Sequence, residues 1–320
     1  MKMETGLTLL IVIVNYKTPD LTINCLKSLS NQIVKIKNSH VVVVDNNSQD
    51  GSPEKINQII KENNWQWVTV LAESKNWGFS GGNNRGLETF SNHEYALLLN
   101  SDTIVYDRTL EYCLQVMEEQ KDIGVMSCKL LNEDGSLQNV TRKFPNPMRS
   151  LISALGLPWY LPFLFNWANI DDDTWDKENT KKDVDWLGGA FLLIRGSLLR
   201  KIGGLDEDFF FYGEDIEFNY RVYKAGWRRY YDPTVSIIHL GGGSSDEEKM
   251  AQLKRKTYYW QGRYLVQSKC YGKIFALILY YVDLLILELK ILVYNQRDTY
   301  KYKLAQEMRS VLKNLNLNFN

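Results

Sequence analysis

The sequence predicts an α/β fold in which a mostly parallel central sheet is covered by helices on both faces. Runs of β-branched and leucine residues alternate with helix-like segments through the first 120 residues, which is typical of repeated strand–helix–strand units. Asp45 ends one such run, and Asp102 follows another within three residues. Because ligands of open parallel sheets bind at the carboxyl ends of the strands, these two acids mark a candidate site.

The elements of the first half follow from apolar runs and from the turn residues between them. The runs are rich in Val, Ile and Leu, which suits strands that are buried on both faces. Pro19 and Pro53 fall where a proline suits the first turn of a helix, and a Gly/Asn-rich turn precedes the third helix. Strands are predicted at Leu7–Val14, Val41–Asp45, Trp67–Leu71 and Tyr95–Asn100, and helices at Asp20–Leu29, Ser52–Asn63, Gly81–Phe90 and Arg108–Gln120.

The segment from Lys129 to Asp183 has no regular periodicity. It contains several prolines, the aromatic run LPWYLPFLFNW and a charged stretch from Asp171 onward. Such an inserted segment can shape an acceptor pocket, or it can be an ordinary surface excursion with an apolar anchor. The sequence leaves both alternatives open.

Regular patterns return in the last third of the chain. The apolar stretch near the end is interrupted by Asp283, Glu288 and Lys290, and each such charge costs roughly 2.5–3.5 kcal/mol at the centre of a membrane-spanning helix. An amphipathic helix that lies on a membrane or docks on the domain is therefore favoured over a span. The predicted elements are strands at Val184–Ile194, Trp227–Tyr231 and Val235–His239, helices at Glu214–Ala225, Asp246–Lys269 and Ile274–Tyr294, and a polar helix and tail at Arg297–Asn320.

Composition excludes several classes of function. The 320 residues include 38 basic and 38 acidic side chains, so the balanced charge gives no general attraction for nucleic acid. The four cysteines form no CxxC pair, which argues against a zinc ribbon or a redox motif and favours reduced thiols. The apolar run Leu7–Val14 is too short to span a bilayer and has no cleavage site of small residues, so we interpret it as a buried first strand.

Two polar stretches carry chemistry near the first strands. Asp45 can accept hydrogen bonds from a nucleobase imide or a ribose hydroxyl, or it can cap the turn before the helix at Ser52, as can Asp50. In ESKNWGFSGGNNRG, glycines can let backbone amides approach an anion at a helix N-terminus, or they can form a structural turn. The stretch is neither a Walker loop nor a GxGxxG fingerprint.

Three further positions are candidates for metal or acid–base chemistry. Asp102 with Asn100 can hold a divalent cation together with substrate phosphates, although a lone NSD sequence is often a turn or cap. Glu214 and Asp215 lie in the first turn of a predicted helix, where they can act as a general base or simply cap the helix. His239, at a predicted strand end, is either structural or a third ligand or phosphate donor.

Taken together, these stretches resemble glycosyltransferase family 2, particularly its bacterial rhamnosyltransferase-like members. The resemblance covers the chain from about Leu7 to Gly243 in collinear order. It rests on VIVNY, VVVVDNNSQDGS, NWGFSGGNNRG, LLLNSD, WLGGAFLLIR, FFFYGEDIEFNYR and HLGGG. The resemblance implies a GT-A fold, a nucleotide-sugar donor and an inverting mechanism.

The resemblance also implies roles for individual residues. Asp215 would deprotonate the acceptor hydroxyl, with Glu214 beside it sharing or shaping that catalytic role. Asp102 would be the surviving acid of the family's DXD motif, with Asn100 in place of the first acid, and His239 would join Asp102 at the metal, Mn²⁺ or Mg²⁺. Nucleotide-sugar contacts are expected from Asn15, Asp45, Asn76, Gly78, Gly82, Asn83, Asn100 and Asp102, and sugar or acceptor contacts from Trp186, Gly188, Gly189 and Ala190.

The implied reaction moves a sugar, with dTDP-rhamnose the best candidate donor, to a hydroxyl of a saccharide or lipid-linked saccharide in bacterial cell-surface polysaccharide biosynthesis. The processive members carry a Gln-x-x-Arg-Trp motif, whereas this chain has Gln261-Gly262-Arg263-Tyr264, so transfer of one or a few sugars is expected. The implied location is cytoplasmic, at the inner face of the membrane, with peripheral membrane contact through the basic, aromatic C-terminal region. A homo-oligomer is compatible with the C-terminal helices.

Several alternatives remain open at this point. A nucleotidyltransferase would need a Gly-rich loop with basic residues between Leu7 and Asp20, which the sequence lacks. A non-catalytic nucleotide-sugar or carbohydrate-binding scaffold and a UDP-hexose-using transferase are the other two. For domains, we expect a glycosyltransferase domain over residues 1–243, with a nucleotide-sugar half (1–128) and an acceptor half (129–243), and a helical extension over 244–320.

Overall fold

The computed structural model describes residues 7–90, 92–169, 179–241, 250–294 and 299–315. Parts of the expected segments Asp171–Asp183, Asp246–Lys269 and Arg297–Asn320 therefore lie outside the described residues. The strands are β1 (Leu7–Asn15), β2 (Ser39–Asp45), β3 (Val68–Ala72), β4 (His93–Asn100), β5 (Thr103–Val105), β6 (Ile123–Leu131), β7 (Leu137–Gln138), β8 (Thr141–Arg142), β9 (Lys182–Asp183), β10 (Trp186–Leu187), β11 (Phe191–Arg195) and β12 (Arg228–His239).

The helices alternate with the strands in the first half and dominate the C-terminal part. They are α1 (Pro19–Ile33), α2 (Ser52–Glu62), α3 (Gly78–Thr89), α4 (Thr109–Glu119), α5 (Pro147–Ala154), α6 (Leu157–Tyr160), α7 (Pro162–Phe165), α8 (Gly196–Ile202), α9 (Glu214–Lys224), α10 (Met250–Tyr271), α11 (Lys273–Tyr294) and α12 (Thr299–Lys313), with a short 3-10 helix at Asn166–Ala168.

The main sheet has the strand order β3-β2-β1-β4-β11-β6-β12-β5. The pairs among β3, β2, β1 and β4 are parallel, as is the pair of β6 and β12, whereas β11 runs antiparallel to both β4 and β6. The predicted α/β class with a mostly parallel sheet is confirmed. The antiparallel insertion of β11 depends on non-local pairing, which the local sequence pattern does not reveal.

The structure corrects three strand predictions. Val184–Ile194 is not one strand, because it divides into β10 and β11 with residues 188–190 between them. Trp227–Tyr231 and Val235–His239 are one strand, β12, in which the register shifts between Asp232 and Ser236, beside Pro233, a residue with no backbone N–H to donate to the ladder. Strand β6 is absent from the predictions, although its apolar run is fully typical of a buried strand.

The chain divides into two compact units. We call the first the sheet unit, which consists of Met1–Arg142, Asp173–Phe210 and Phe218–Ser245. The second, the helical unit, consists of Lys143–Asp172, Phe211–Glu217 and Asp246–Asn320. The irregular excursion after residue 142 thus belongs with the C-terminal helices, while the expected domain boundary at residue 243 stays a prediction.

Each unit has a core of its own. In the sheet unit, the central strands are buried on both faces, and the apolar residues of Leu9–Ile13 and Val41–Val44 are fully inaccessible. The helical unit has a smaller core where α11 packs against α5, α10 and α12. That core is built around Tyr264, Leu279, Leu287, Ala305 and Leu312.

Helix α11 corresponds to the predicted segment Ile274–Tyr294. Within the described parts of the chain, neither α11 nor any other helix combines the length and apolarity that a membrane crossing needs. Asp283, which interrupts the apolar pattern, is buried and accepts hydrogen bonds from Arg263 Nε at 3.1 Å and Tyr264 Oη at 3.0 Å. The charge therefore joins α11 to α10 inside the helical unit.

Candidate functional site

The first part of the site lies where β1 and β2 end side by side. Asn15 and Asp45 are register partners of the parallel pair, and both side chains are buried. The Asn15 amide donates a hydrogen bond of 2.6 Å to Asp45 Oδ1, and its own oxygen accepts one of 2.8 Å from Thr22 Oγ1 of α1. The structure thus brings these two predicted residues together.

The Asp45 carboxylate also organises the turn that follows it. Its Oδ1 accepts a hydrogen bond from Ser48 Oγ at 2.6 Å, and its Oδ2 accepts one from Ser48 N at 3.0 Å. Together with the bond from Asn15, these contacts use three of the roughly four acceptor positions of a carboxylate. The turn-capping interpretation of Asp45 is therefore observed in this conformation, and one acceptor position is left for a ligand.

Asn46, which the sequence analysis missed, holds the Gly/Asn-rich loop against the end of β2. Its Nδ2 donates to Asn76 Oδ1 at 2.9 Å and to the Gly78 carbonyl at 2.8 Å, while its Oδ1 accepts from Trp77 N at 2.9 Å. Asn76 in turn accepts a hydrogen bond from Gly78 N at 2.9 Å. The run of Asn and Ser after Asp45 was the available signal, but it does not say which side chain reaches the loop.

Several glycines of α3 lie so close to neighbouring atoms that a larger side chain would not fit. Gly78 has φ +71°, and a Cβ there would lie 2.3 Å from the Phe210 carbonyl oxygen. A Cβ at Gly86 would lie 2.3 Å from Val12 of β1, and one at Gly82 would lie 3.0 Å from Val14. Gly82 and Gly86 therefore bring the helix close to β1, and Gly78 brings its first turn close to the Phe210 backbone. The glycine pattern alone does not indicate an anion-binding loop.

Asn83, another predicted ligand residue, is buried in α3. Its Nδ2 donates to the Phe79 carbonyl of the same helix at 2.9 Å. A mid-helix asparagine that bonds to a preceding carbonyl is a common local arrangement. This contact gives Asn83 a structural role in the described conformation.

The second part of the site gathers three polar side chains at the end of β4. His239 at the end of β12 pairs with Thr103, and the Asp102 carbonyl accepts a hydrogen bond from Leu240 N at 2.9 Å. This pairing places His239 Nε2 3.3 Å from Asp102 Oδ1 and 3.2 Å from Asn100 Nδ2. Residues 139 positions apart in sequence therefore meet at one strand end.

Gln138 of β7 determines how His239 presents its ring. Gln138 Oε1 lies 2.5 Å from His239 Nδ1, and Gln138 Nε2 donates to Asn132 Oδ1 at 2.9 Å. Because an amide oxygen only accepts, Nδ1 carries the proton, and the lone pair of a neutral ring lies on Nε2. No local pattern singles out Gln138, since the contact depends on strand pairing across 101 residues.

The donor set of this cluster fits a hard divalent cation. Asn100 Oδ1 is buried and has no hydrogen-bond partner among the described residues, and it belongs to the side chain whose amide faces His239. Carboxylate and amide oxygens suit Mg²⁺ or Mn²⁺, and imidazole is compatible with Mn²⁺. Within the described ranges, no group of three or more His, Cys, Asp or Glu has metal-binding geometry, so substrate or water oxygens must complete such a shell.

The turn between β10 and β11 adjoins this cluster. Asn100 N donates to the Ala190 carbonyl at 3.0 Å, and Gly188 N donates to the Val140 carbonyl at 2.8 Å. Trp186 is buried in β10, which pairs with β8. Of the four residues predicted to contact sugar or acceptor, Ala190 is thus in direct contact with the Asn100 backbone, and Gly189 lies between the two anchored positions.

Glu214 and Asp215 belong to the helical unit and form the first turn of α9. Glu214 is buried, and its Oε2 has no hydrogen-bond partner within the described part of the chain. Burial, and secondarily the charge of Asp215, raise the pKa of Glu214 to about 8. Asp215 is more exposed, so at neutral pH Glu214 is the carboxyl of this pair that holds a proton.

The chain resembles characterised glycosyltransferases of several organisms. It is 24% identical over 223 residues to the N-acetylglucosaminyl-diphospho-decaprenol L-rhamnosyltransferase of Mycobacterium tuberculosis, with 67% of this chain and 70% of the relative covered. It is 27% identical over 266 residues to the low-salt glycan biosynthesis hexosyltransferase Agl10 of Haloferax volcanii, with 82% of this chain and 76% of the relative covered. It is 31% identical over 150 residues to the rhamnosyltransferase WbbL of Escherichia coli K12, with 46% of this chain and 52% of the relative covered.

Solved structures show the same fold. The mannosyltransferase PcManGT of Pyrobaculum calidifontis, in complex with GDP-Man and Mn²⁺, superposes with a TM-score of 0.55 at 14% identity, covering 97% of this chain and 86% of the other. GalNAc-T7 with UDP, GalNAc and Mn²⁺ gives a TM-score of 0.58 at 16% identity, with 83% of this chain but only 48% of that one covered. The GT-A fold expected from the resemblance is confirmed.

Membership of the family follows from the sequence as a whole. The sequence model of glycosyl transferase family 2 matches residues 10–184, which is more than half of the chain. The matched range includes the polar ends of β1, β2 and β4, and it ends before the turn that contacts Asn100. The chain is a glycosyltransferase that belongs to family 2.

Proposed function

We propose that this enzyme is an inverting, metal-dependent transferase that moves a sugar from a nucleotide-sugar to the hydroxyl of a saccharide or lipid-linked saccharide. The observation that carries the proposal is the cluster of Asn100, Asp102 and His239 at the carboxyl end of β4. Such a cluster places a carboxylate, an imidazole lone pair and an amide oxygen at the edge where sheets of this type bind ligands.

The cluster is the proposed site for the diphosphate of the donor. Asp102 and His239 Nε2 would hold Mn²⁺ or Mg²⁺, with Asn100 Oδ1 facing it directly or through water, and the bound cation supplies positive charge that stabilises a departing diphosphate. Complexes of the two structural neighbours with Mn²⁺ support the choice of a divalent cation. Gln138 keeps the His239 ring oriented, and Asn15 with Asp45 holds the nucleoside end of the donor.

Asp215 is the proposed general base. It takes the proton of the acceptor hydroxyl while that oxygen attacks the anomeric carbon from the face opposite the leaving diphosphate, which inverts the configuration. Glu214 stays protonated at neutral pH because its pKa is about 8, so only one negative charge develops on the acidic pair. A neutral Glu214 beside it favours Asp215 as the carboxylate that accepts the proton.

The proposed donor is dTDP-rhamnose, and the proposed acceptor is a lipid-linked saccharide at the cytoplasmic face of the membrane. Two of the relatives are rhamnosyltransferases, and the name of one of them states a diphospho-decaprenol acceptor, which supports this choice. A UDP-hexose donor is the alternative within the same reaction class. The departure from the Gln-x-x-Arg-Trp motif at Gln261–Tyr264 supports transfer of one or a few sugars.

A second candidate function is a non-catalytic nucleotide-sugar or carbohydrate-binding scaffold. The specific observation that favours it is Asn100, which stands where the family's DXD motif has its first acid. A neutral amide contributes less than a carboxylate to cation binding. The test below separates the two functions.

The test is nucleotide release by the purified full chain from a panel of dTDP-, UDP- and GDP-sugars with Mn²⁺ or Mg²⁺. Metal-dependent release from one donor is expected, with a loss of at least about 100-fold in both Asp102→Ala and Asp215→Asn. Asp134→Ala is a matched control, because Asp134 is an exposed aspartate that caps a local turn through Ser136.

The outcomes separate the candidates. Release abolished by Asp102→Ala and Asp215→Asn, but kept in Asp134→Ala, supports the transferase and identifies the donor. Saturable donor binding that no acceptor mixture converts into release would assign the scaffold function. Release that both variants retain would contradict the roles given to Asp102 and Asp215.

A further inference from the structure

The helical unit exposes an aromatic projection that no part of the described transfer site uses. Helices α6 and α7 are short, and their large apolar side chains point outward. Trp159 is 85% exposed and Phe163 is 79% exposed, with Tyr160 and Leu164 also exposed. Monomeric proteins rarely leave aromatic residues clustered in this way unless the surface binds something.

A second exposed apolar surface lies on α11 of the same unit. Its buried residues Ala276, Leu279, Asp283 and Leu287 recur every three or four positions and face the core of the unit. The opposite side is also apolar, with Ile274 72% and Leu292 74% exposed. Ile278, Tyr281 and Leu285 continue this outer face at helical spacing.

The two surfaces share a structural support. Helix α5 packs against α11 on one side of the helical unit and against α6 and the 3-10 helix that follows α7. The aromatic projection is therefore built on the same small core as α11. We call the two together the apolar docking surface: Trp159, Tyr160, Phe163 and Leu164 of the projection, and the outer face of α11 from Ile274 to Leu292.

The sequence around the apolar docking surface is basic. Residues 143–169 include two basic and no acidic side chains, and residues 250–294 include seven basic and two acidic ones. Among them, Lys256 forms an ion pair with Glu307 and Arg263 forms one with Asp283. This excess of basic residues is confined to these stretches, because the whole chain has 38 basic and 38 acidic residues.

We propose that the apolar docking surface binds the interface of a lipid bilayer that contains anionic headgroups. Trp and Tyr side chains favour the boundary between headgroups and acyl chains, and basic residues attract anionic lipid. Helix α11 spans 22 residues, about 33 Å, and lies along the bilayer surface, since it has no membrane-crossing character. A second copy of the chain is the less favourable occupant, because it would bring an equal excess of basic residues to the contact.

This proposal rests on the proposed function in one respect: the biological role of the membrane contact depends on a lipid-linked acceptor. A lipid-linked acceptor is presented at a bilayer, and docking the helical unit there would keep the enzyme near it. The contact itself is a physical property of the surface and is measurable without any sugar transfer.

The test is co-sedimentation of the full chain with vesicles of phosphatidylcholine alone or mixed with an equal amount of phosphatidylglycerol. Strong binding to the mixed vesicles that weakens with added salt is expected. Replacing both Trp159→Ser and Phe163→Ser, or both Ile274→Ser and Leu292→Ser, should lower the partition coefficient at least about tenfold. The matched control is Val34→Ser with Tyr106→Ser, since these exposed residues belong to the sheet unit.

A second readout reports the depth of Trp159. Brominated lipids should quench tryptophan fluorescence of the wild type, and Trp159→Phe should lose part of that quenching while it keeps its vesicle binding. Circular dichroism melts should be unchanged for all these variants, because every altered side chain is exposed. Failure of the wild type to bind mixed vesicles, or equal binding by the serine variants, would overturn the proposal.

The remaining outcomes separate this proposal from the proposed function. Nucleotide release in detergent-free solution should persist in the serine variants, because their substitutions lie outside the transfer site. Vesicle binding without any donor turnover would leave the docking proposal standing and contradict only the transferase. A lipid-free dimer that the Ile274→Ser and Leu292→Ser variant loses, with no vesicle binding, would assign the surface to a second copy instead.

Discussion

At the residue scale, the site depends on side chains that hold other side chains. Gln138 fixes the protonated nitrogen of His239, and Asn46 fixes the loop at Asn76. The sequence assigns a role to neither residue: Gln138 lies in no acidic or histidine motif, and the motif that contains Asn46 does not show which loop its side chain reaches. Each acts through a hydrogen bond whose partner is distant along the chain.

The first prediction concerns Gln138. Gln138→Ala removes the acceptor of the Nδ1 proton, so His239 can rotate or change tautomer, and Mn²⁺ affinity should fall about 10- to 100-fold. The measurement is a direct titration of Mn²⁺ into the protein in the presence of a nucleoside diphosphate. Gln115→Ala, an exposed glutamine on α4, serves as the control, and an unchanged Mn²⁺ affinity in Gln138→Ala would contradict the assigned role.

The second prediction concerns Glu214 and pH. Its pKa is raised in the folded protein from its usual value of 4.5 to about 8, so the native state favours the protonated form. The stabilisation of the wild type is therefore complete below about pH 4.5 and is lost as the pH rises through about 8, at roughly 1.4 kcal/mol for each pKa unit. Glu214→Gln cannot ionise and should lack this loss.

Urea unfolding of wild type and Glu214→Gln across this pH range is the measurement. The two proteins should have similar stability near the acidic end, and the variant should be the more stable above pH 8. A difference that stays constant with pH would show that Glu214 does not titrate in this range. Glu54→Gln, on the surface of α2, provides the comparison for a carboxyl outside the acidic pair.

At the element scale, close approach between helix and sheet explains much of the glycine content near the site. Gly78 and Gly86 permit α3 to lie against Phe210 and Val12. The same stretch was open to interpretation as an anion-binding loop. Geometry now assigns the glycines to packing, and the backbone amides of Trp77 and Gly78 donate to Asn46 and Asn76 within the protein.

The third prediction compares two glycines that both have positive φ. Gly78→Ala should destabilise the protein by about 2–5 kcal/mol, because the new Cβ meets the Phe210 carbonyl in addition to the backbone strain. Gly51→Ala should cost only about 1 kcal/mol, since φ is +80° there but no atom lies within 4 Å of the added Cβ. Chemical denaturation of both variants is the measurement, and equal losses would contradict a steric role for Gly78.

At the scale of the whole molecule, the chain has two compact units with different compositions. The sheet unit contains the polar strand ends, and the helical unit contains the acidic pair, the basic stretches and the apolar docking surface. The small core of the helical unit includes the buried Asp283, which forms a partly buried ion pair with Arg263 and accepts a hydrogen bond from the buried Tyr264. Such a core is sensitive to the loss of one charged partner.

The fourth prediction tests that core. Asp283→Ala leaves Arg263 and Tyr264 without their acceptor and should destabilise the protein by about 3–5 kcal/mol. Glu307→Ala removes the partner of Lys256 at the surface of the same unit and should cost less than about 1 kcal/mol. Thermal melts followed by circular dichroism measure both, and a small effect of Asp283→Ala would mean that solvent reaches the buried pair.

The sequence by itself determined the α/β class, most of the helices, and the strand ends that carry Asp45, Asp102 and His239. Those features are local, because hydrophobic periodicity, proline positions and the residues after an apolar run are all read within a short window. The ordered set of motifs also indicates the family, which the match of the family model to residues 10–184 confirms.

Only the tertiary structure decided which residues meet. The antiparallel position of β11, the pairing of β12 with β5 that brings His239 to Asp102, and the contact of Gln138 with His239 all join segments far apart in the chain. The association of the excursion after residue 142 with the C-terminal helices is of the same kind. Long-range pairing depends on the packing of the whole chain, so no local pattern encodes it.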